Sequence, residues 1–444
     1  MDKVNPENGI AWTQQPSKSA AIKKTWNSFV ESSTLHGMRY VFTSPTTFRR
    51  ILWAFFLLSG MGYFSFHSSK LLEKYFSYPI ATKVTLVHEK EPDFPSVTIC
   101  NFNMFRKSLV NAYNYEQVLR YTTRDQFGKF AGIEINDSNI DWSVYEGVNM
   151  SLVYHLGGHQ MQDMLKGCSW SGEKCSYKNF TPVLTSMGLC HTFNSGKSGQ
   201  DILRVKDAGA KFGLSLMLSI EQSEYFGLMT LLAGIKVLIH HHETPPMVAQ
   251  LGFSVAPGTS TFAAVRKEEV HNLKSPYESN CTDSDVNNLR DYTKYTTSAC
   301  MLKCHTRHVV KQCGCRDIKM TAIDDAKVCD VHKTSTCVFR KWKTFIGPLT
   351  KGFSGVNASD IPHLIENYSD DYSKAYRENL LELNIYFQEL NVYFIEQQPA
   401  YDFESLLGEI GGQLGLCIGA SLLTVLEFCD VTFSIAKIRL GGEG

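Results

Sequence analysis

Residues 408–430 read Gly-Glu-Ile-Gly-Gly-Gln-Leu-Gly-Leu-Cys-Ile-Gly-Ala-Ser-Leu-Leu-Thr-Val-Leu-Glu-Phe-Cys-Asp, and no other stretch constrains the fold as tightly. The segment is apolar enough to enter a bilayer. Yet it carries five glycines, a Gly-Ala-Ser triplet and acids near both ends. A helix serving only as an anchor would be rich in Leu, Ile and Val throughout. Gly411, Gly415 and Gly419 recur every four residues and share one helical face. Small residues on such a face let membrane helices approach backbone to backbone. Acids at membrane depth are costly and face a bundle interior or water. Two readings follow: a pore lining, or a helix-dimerisation face with its acids at the headgroups.

A second apolar run, ILWAFFLLSGMGYFSF, covers 51–66 and follows Arg49 and Arg50. It falls short of the roughly 20 residues a spanning helix needs, and Leu71 and Leu72 extend it to a full span over 51–72. It lies too far from the first residue for a signal peptide, and no small-residue cleavage site follows. The Arg pair, Trp53 and the aromatic tail favour membrane over a buried core helix. Two spans put both ends on one side and about 330 residues on the other. Residues 1–50 hold seven Lys/Arg against three Asp/Glu, which makes the ends cytoplasmic. Six glycosylation sequons, at Asn136, Asn149, Asn179, Asn280, Asn357 and Asn367, all lie between the spans. So do eleven of the thirteen cysteines, which points to an oxidising compartment and disulfides. Lys+Arg and Asp+Glu are equal at 44 each, which argues against nucleic acid as a partner.

The long loop reads as mixed and β-rich. Strand-like alternation marks 82–87, 214–220, 234–239, 383–387 and 391–395, with Gly and Pro between the runs. Residues 104–126 read as helical, and 292–310 as an amphipathic helix ending at a Cys-Gly-Cys turn. No nucleophile elbow, P-loop or dinucleotide fingerprint is present, so the chain does not read as an enzyme and calls for no cofactor. His240-His241-His242-Glu243 is the one metal-like cluster. It follows an apolar strand and precedes Pro245, and reads as a polar strand exit rather than a metal site.

Five separated motifs, in order, resemble the degenerin/epithelial sodium channel family, and within it the acid-sensing and peptide-gated sodium channels. They are His36-Gly37, the run 94–101 (FPSVTICN), the run 190–196 (CHTFNSG), the run 251–258 (LGFSVAPG) and Gly419-Ala420-Ser421. The resemblance covers nearly the whole chain. It implies an α+β membrane protein: two transmembrane helices, a hand-like, disulfide-rich, β-rich ectodomain, and a trimer of the same or related subunits around a central Na+ pore. The expected parts are a cytoplasmic 1–50 with a re-entrant His-Gly loop, a first span at 51–72 and an extracellular 73–402. Within the last lie a finger at about 101–190 and a thumb at about 281–350, the remainder being palm and β-ball. A second span at 403–432 and a cytoplasmic 433–444 complete the chain in the plasma membrane.

Carried over residue by residue, Gly419, Ala420 and Ser421 would form a selectivity belt where the second helix breaks, with backbone oxygens replacing part of an ion's hydration shell. His36 and Gly37 would sit below that belt. Gly408 would be the position where bulky side chains hold the pore open. Glu409, where an aspartate is usual, would ring the outer mouth, and Glu427 and Asp430 would line or flank the inner one. A continuous helix would set Glu409 and Ser421 about 18 Å apart. Tyr78 would pack on Tyr277, which stands where tryptophan is usual, and couple the ectodomain to the first span. The expected disulfides are Cys100–Cys190, Cys168–Cys175, Cys313–Cys337 and Cys315–Cys329. A downstream cysteine triplet is absent, which leaves Cys281, Cys300 and Cys304 without their usual partners.

Features tied to acid sensing are also missing. Residues 227–232 (GLMTLL) replace an acidic stretch, Asn384 replaces an aspartate, and Pro79-Ile80 replaces a histidine pair. Remaining acids such as Glu89 look isolated. Sequence therefore ranks a short extracellular peptide or other small ligand first as the stimulus, protons second, and a non-conducting accessory role third.

Overall fold

The computed structural model describes residues 18–113, 115, 141–197, 199–226, 232–280, 296–323, 325–338 and 372–440. The chain divides into two compact units. One comprises 1–84, 271–281 and 395–444; the other comprises 85–270 and 282–394.

The first unit is built on long helices. Thr47–Phe76 is one helix of 30 residues with no buried residue. At 1.5 Å per residue it is about 45 Å long, against a hydrocarbon core of about 30 Å. Phe48, Ile51, Phe55, Phe56, Leu58 and Phe66 are all exposed on it. An apolar surface of that extent is not left to water. The helix outruns the expected 51–72 because it continues into polar sequence, where Lys70 and Glu73 pair at 2.7 Å. The second apolar segment forms Phe403–Ile418 and Leu422–Leu440, two helices bent by 74° that together are long and apolar enough to cross a membrane. It reaches Leu440, beyond the expected 432. Two shorter helices, Lys18–Ser32 and Met38–Thr43, precede the first long one.

Eleven strands occur among the described residues: β1 (Ile80–His88), β2 (Ser96–Asn101), β3 (Leu165–Trp170), β4 (Glu173–Lys174), β5 (Phe180–Thr185), β6 (Gly188–Phe193), β7 (Leu214–Ser219), β8 (Ile235–His240), β9 (Phe253–Val255), β10 (Ser260–His271) and β11 (Leu380–Pro399). One sheet runs β1-β11-β7-β3-β4, with β10 also on β11; the other runs β5-β6-β2-β8-β9. Alternation builds the core of the second unit. Leu214, Leu216 and Leu218 point inward from β7, and Leu381, Leu383, Ile385 and Phe387 from β11. These strands pair antiparallel, Leu381 opposite Leu218 and Leu383 opposite Leu216. β2 is buried at every position between its two neighbours. Each such Leu or Ile contributes roughly 1.5–3 kcal/mol of apolar transfer.

Of the helix expected over 104–126, the described residues show Lys107–Ala112, turning out at Tyr113; 114 and 116–140 lie outside the described residues. The two strands expected at 383–387 and 391–395 are a single strand of 20 residues. The amphipathic helix begins at Thr297, whose first turn is capped by the Thr296 hydroxyl, and stops at Cys313. Gly314 there takes the left-handed conformation at φ 72°.

Candidate functional site

The break in the second apolar segment is set by three residues. Phe403–Ile418 starts from Asp402, whose carboxylate accepts the Ser405 N–H at 2.8 Å. It ends at Gly419, which turns left-handed at φ +63° and donates its N–H back to the Gly415 carbonyl at 2.9 Å. Glycine tolerates that conformation without the penalty a Cβ brings. Ala420 and Ser421 follow outside either helix. The Ser421 N–H is donated to the Thr424 hydroxyl at 3.0 Å, which starts the second helix. The continuous helix behind the 18 Å separation of Glu409 and Ser421 therefore does not exist. A backbone interrupted at membrane depth is tolerated only where it meets protein or lines water.

His36 meets this break. Its Nδ1 lies 3.1 Å from the Gly419 carbonyl oxygen. That oxygen only accepts, so Nδ1 carries the proton and donates. A Cβ at residue 419 would collide with the His36 ring. Gly37, at φ 91°, turns the chain into Met38–Thr43. Just before it, the Thr34 hydroxyl bonds that of Thr424 at 2.7 Å. The Ser33 hydroxyl and the Thr34 N–H and hydroxyl all converge on one Glu427 oxygen at 3.0–3.3 Å. Phe29, Val30, Met38 and Val431 close an apolar cluster around this joint. Glu427, expected at the inner mouth, thus holds the pre-helix loop, whereas Asp430 is exposed.

Sequence reading missed Gly60. A Cβ there would lie 2.6 Å from the Cys417 carbonyl oxygen, so only glycine lets the first long helix meet the helix end before the break. The signal was the Ser-Gly-Met-Gly interruption of an aromatic run.

On the other side of the break, Gly408, Gly411, Gly412 and Gly415 form a bare exposed face. A Cβ at the first three meets nothing within 4 Å, and at Gly415 only the Ala420 oxygen at 3.9 Å. The crowding expected at Gly408 is therefore absent within one chain. Glu409 is exposed and accepts the Tyr401 hydroxyl at 3.1 Å. Lys74 lies over the Tyr401 ring at 4.1 Å. Tyr78 and Tyr277 meet edge-to-face with centroids 5.5 Å apart, and Tyr78 is held at φ 48°. Such a backbone is uncommon for a bulky residue and persists only where its surroundings over-determine it.

All four expected disulfides form: Cys100–Cys190 between paired residues of β2 and β6, Cys168–Cys175, Cys313–Cys337 and Cys315–Cys329. Cys300 and Cys304 are free and exposed; Cys281 lies outside the described residues. Of the sequons, Asn149, Asn179 and Asn280 are exposed, while Asn136, Asn357 and Asn367 lie outside the described residues.

The second unit corrects the view of isolated acids. Glu89 accepts an ion pair from Lys267 at 3.0 Å. Buried Asn384 donates to Glu382, which also accepts the Ser260 hydroxyl; these hydrogen bonds hold Glu382 below its usual range. Leu232 is exposed, and 227–231 lie outside the described residues. A titratable network not read from sequence lies deeper. His159, fully buried, faces Glu221 at 2.7 Å through Nδ1 and Asn103 at 2.9 Å through Nε2. Its carbonyl accepts the His191 Nε2–H at 2.9 Å. Burial disfavours the charged His191 imidazole and holds its pKa below the ordinary value.

The described residues thus hold a helix of membrane length, a second apolar segment whose break is met by His36, and a disulfide-braced β-rich unit. The family pattern described as amiloride-sensitive sodium channel matches residues 29–431, and the chain belongs to that family. It is 33% identical to acid-sensing ion channel 2 of Homo sapiens, covering 96% of this chain and 90% of that protein. It is 33% identical to acid-sensing ion channel 1 of Gallus gallus, over 94% and 85% of the two chains. Identity to acid-sensing ion channel 4-B of Danio rerio is 34%, over 93% and 76%. These relatives are channels, not enzymes.

Proposed function

We propose that the chain is the pore-forming subunit of a trimeric, sodium-selective, amiloride-sensitive channel of the plasma membrane, opened by extracellular acid. One observation carries the pore: the apolar helix is interrupted at Gly419–Ser421, and His36 is hydrogen-bonded to the interruption. Three copies would bring three Gly419, Ala420 and Ser421 backbones together around a permeant ion. The bare glycine face from Gly408 to Gly415 supplies the space for neighbouring copies to approach. Three Glu409 carboxylates would ring the outer mouth and concentrate cations. Both termini would be cytoplasmic, with 73–402 outside.

The stimulus rests on the relatives and on titratable groups. Three relatives named as acid-sensing align over more than nine-tenths of this chain, which reverses the ranking drawn from sequence alone. Burial disfavours the charged form of His191, which is bonded to the His159 carbonyl, so protonating it would work against a packed core. A second reading, opening by a short extracellular peptide, is favoured by Leu232 and Asn384 standing where family carboxylates are expected. Homomeric expression with acid steps and then a peptide panel separates the two. Acid-evoked, amiloride-blocked inward current supports the first. Silence to acid with a peptide response replaces it with the second.

A further inference from the structure

We propose that the turn after β8 is a binding site for a borderline divalent transition metal such as Zn2+ or Cu2+, built from His241, His242 and Glu243. The inference is independent of the stimulus that opens the channel. Sequence marked His240–Glu243 as a metal-like cluster and ranked a polar strand exit above a metal site; the structure shows which of the four converge and favours the other reading. His240 is withdrawn into the sheet, where its Nε2 meets the Thr98 hydroxyl at 2.8 Å and its Nδ1 donates to the His241 carbonyl at 3.0 Å. The next three side chains are thrown outward together. They occupy one β-turn, closed by the Thr244 N–H on the His241 carbonyl at 2.9 Å and stopped by Pro245-Pro246.

Their ligand atoms all lie within 4.8 Å of one another. His241 Nδ1 is 3.8 Å from a Glu243 carboxylate oxygen, and the two imidazoles stand 4.0 Å apart between centroids. His241 Nδ1 also accepts the Glu243 N–H at 3.3 Å, a long hydrogen bond that a metal on this nitrogen would replace. Zinc bonds of about 2.0–2.1 Å at tetrahedral angles place ligand atoms about 3.4 Å apart. Closing the three onto one ion thus takes small side-chain rotations. Two imidazoles and one carboxylate suit Zn2+, Cu2+ or Ni2+ and not the all-oxygen preference of Ca2+ or Mg2+. Three protein ligands leave a fourth position for water. Lys197, which lines the same groove as His242, opposes the ion's charge and caps the affinity, while Glu243 offsets it.

The test uses the full-length, detergent-solubilised channel carrying Cys281→Ser, Cys300→Ser, Cys304→Ser, Cys417→Ser and Cys429→Ser, so that thiols outside the four disulfides bind nothing. Zn2+ is titrated calorimetrically at pH 7.4, and Cu2+ is followed by electron paramagnetic resonance. We expect one Zn2+ per chain, nitrogen splitting in the Cu2+ spectrum, and an affinity loss of at least about tenfold in His241→Ala/His242→Ala. Glu243→Gln should weaken Zn2+ while keeping the nitrogen splitting, a result that partial unfolding would not give. Absence of binding by the parent protein, or equal affinity and an unchanged Cu2+ spectrum in the double variant, would overturn the site.

Discussion

At the residue scale, the account turns on single donors and acceptors. His36 donates to Gly419 across 383 residues of sequence. A neutral hydrogen bond of this kind is worth about 1 kcal/mol net. His36→Ala should therefore lower current several-fold at unchanged surface labelling, with partial rescue by His36→Asn, which keeps a donor. Equal currents in all three would remove the contact from the mechanism. His191 makes a second prediction, about stability and pH. Burial lowers its folded pKa, so the unfolded chain binds the proton more readily. Stability is full above the ordinary histidine value of about 6.5 and falls as pH drops below it. His159 and His155 repel the charged form in the same direction. The melting temperature of the solubilised channel should drop on acidification, and His191→Gln should flatten that slope. An identical slope in the variant would exclude His191 as a contributor.

At the scale of elements, much was legible. The break at Gly419 and the four disulfides followed from the family resemblance; spacing alone set Gly419 on one helical face with Gly411 and Gly415, whereas it ends the helix in the left-handed conformation. The first long helix runs past the expected 51–72 to Phe76 because its last turn lies beyond the apolar run, where hydropathy gives no signal. β11 read as two strands because the inward alternation slips between Gln388 and Asn391, where β11 nevertheless continues. Glu89 looked isolated because its partner, Lys267, lies 178 residues away in sequence. His159–Glu221 and Gly60–Cys417 were invisible for the same reason: a linear pattern carries no long-range pairing. The Tyr78–Tyr277 contact belongs to this scale. Aromatic pairs contribute about 0.5–1.5 kcal/mol beyond burial. Tyr78→Ala and Tyr277→Ala should each shift the stimulus dependence, and the double variant should shift it no further. Additive shifts would show that the two rings act separately. Gly408 is informative in another way. A Cβ there meets nothing within 4 Å in its own chain, which leaves the space at this position to neighbouring copies. A bulky thiol reagent on Gly408→Cys should give standing current; a response still dependent on stimulus after verified modification would move the gate elsewhere.

At the scale of the whole molecule, one unit offers an apolar bundle with an interrupted helix, and the other a cross-linked β-rich body with a buried titratable network. Such a division suits a channel in which stimulus and permeation are handled by different parts of one chain. The proposal stands or falls on the interruption at Gly419–Ser421 being where ions are selected. The most direct measurement is the reversal potential of the amiloride-blocked current under mixed Na+ and K+, in wild type and in Gly419→Cys and Ser421→Cys. Wild type should prefer Na+, and the variants should lose current or admit K+, because both substitutions alter the backbone and space at the break. A Na+/K+ permeability ratio unchanged in both variants would contradict it.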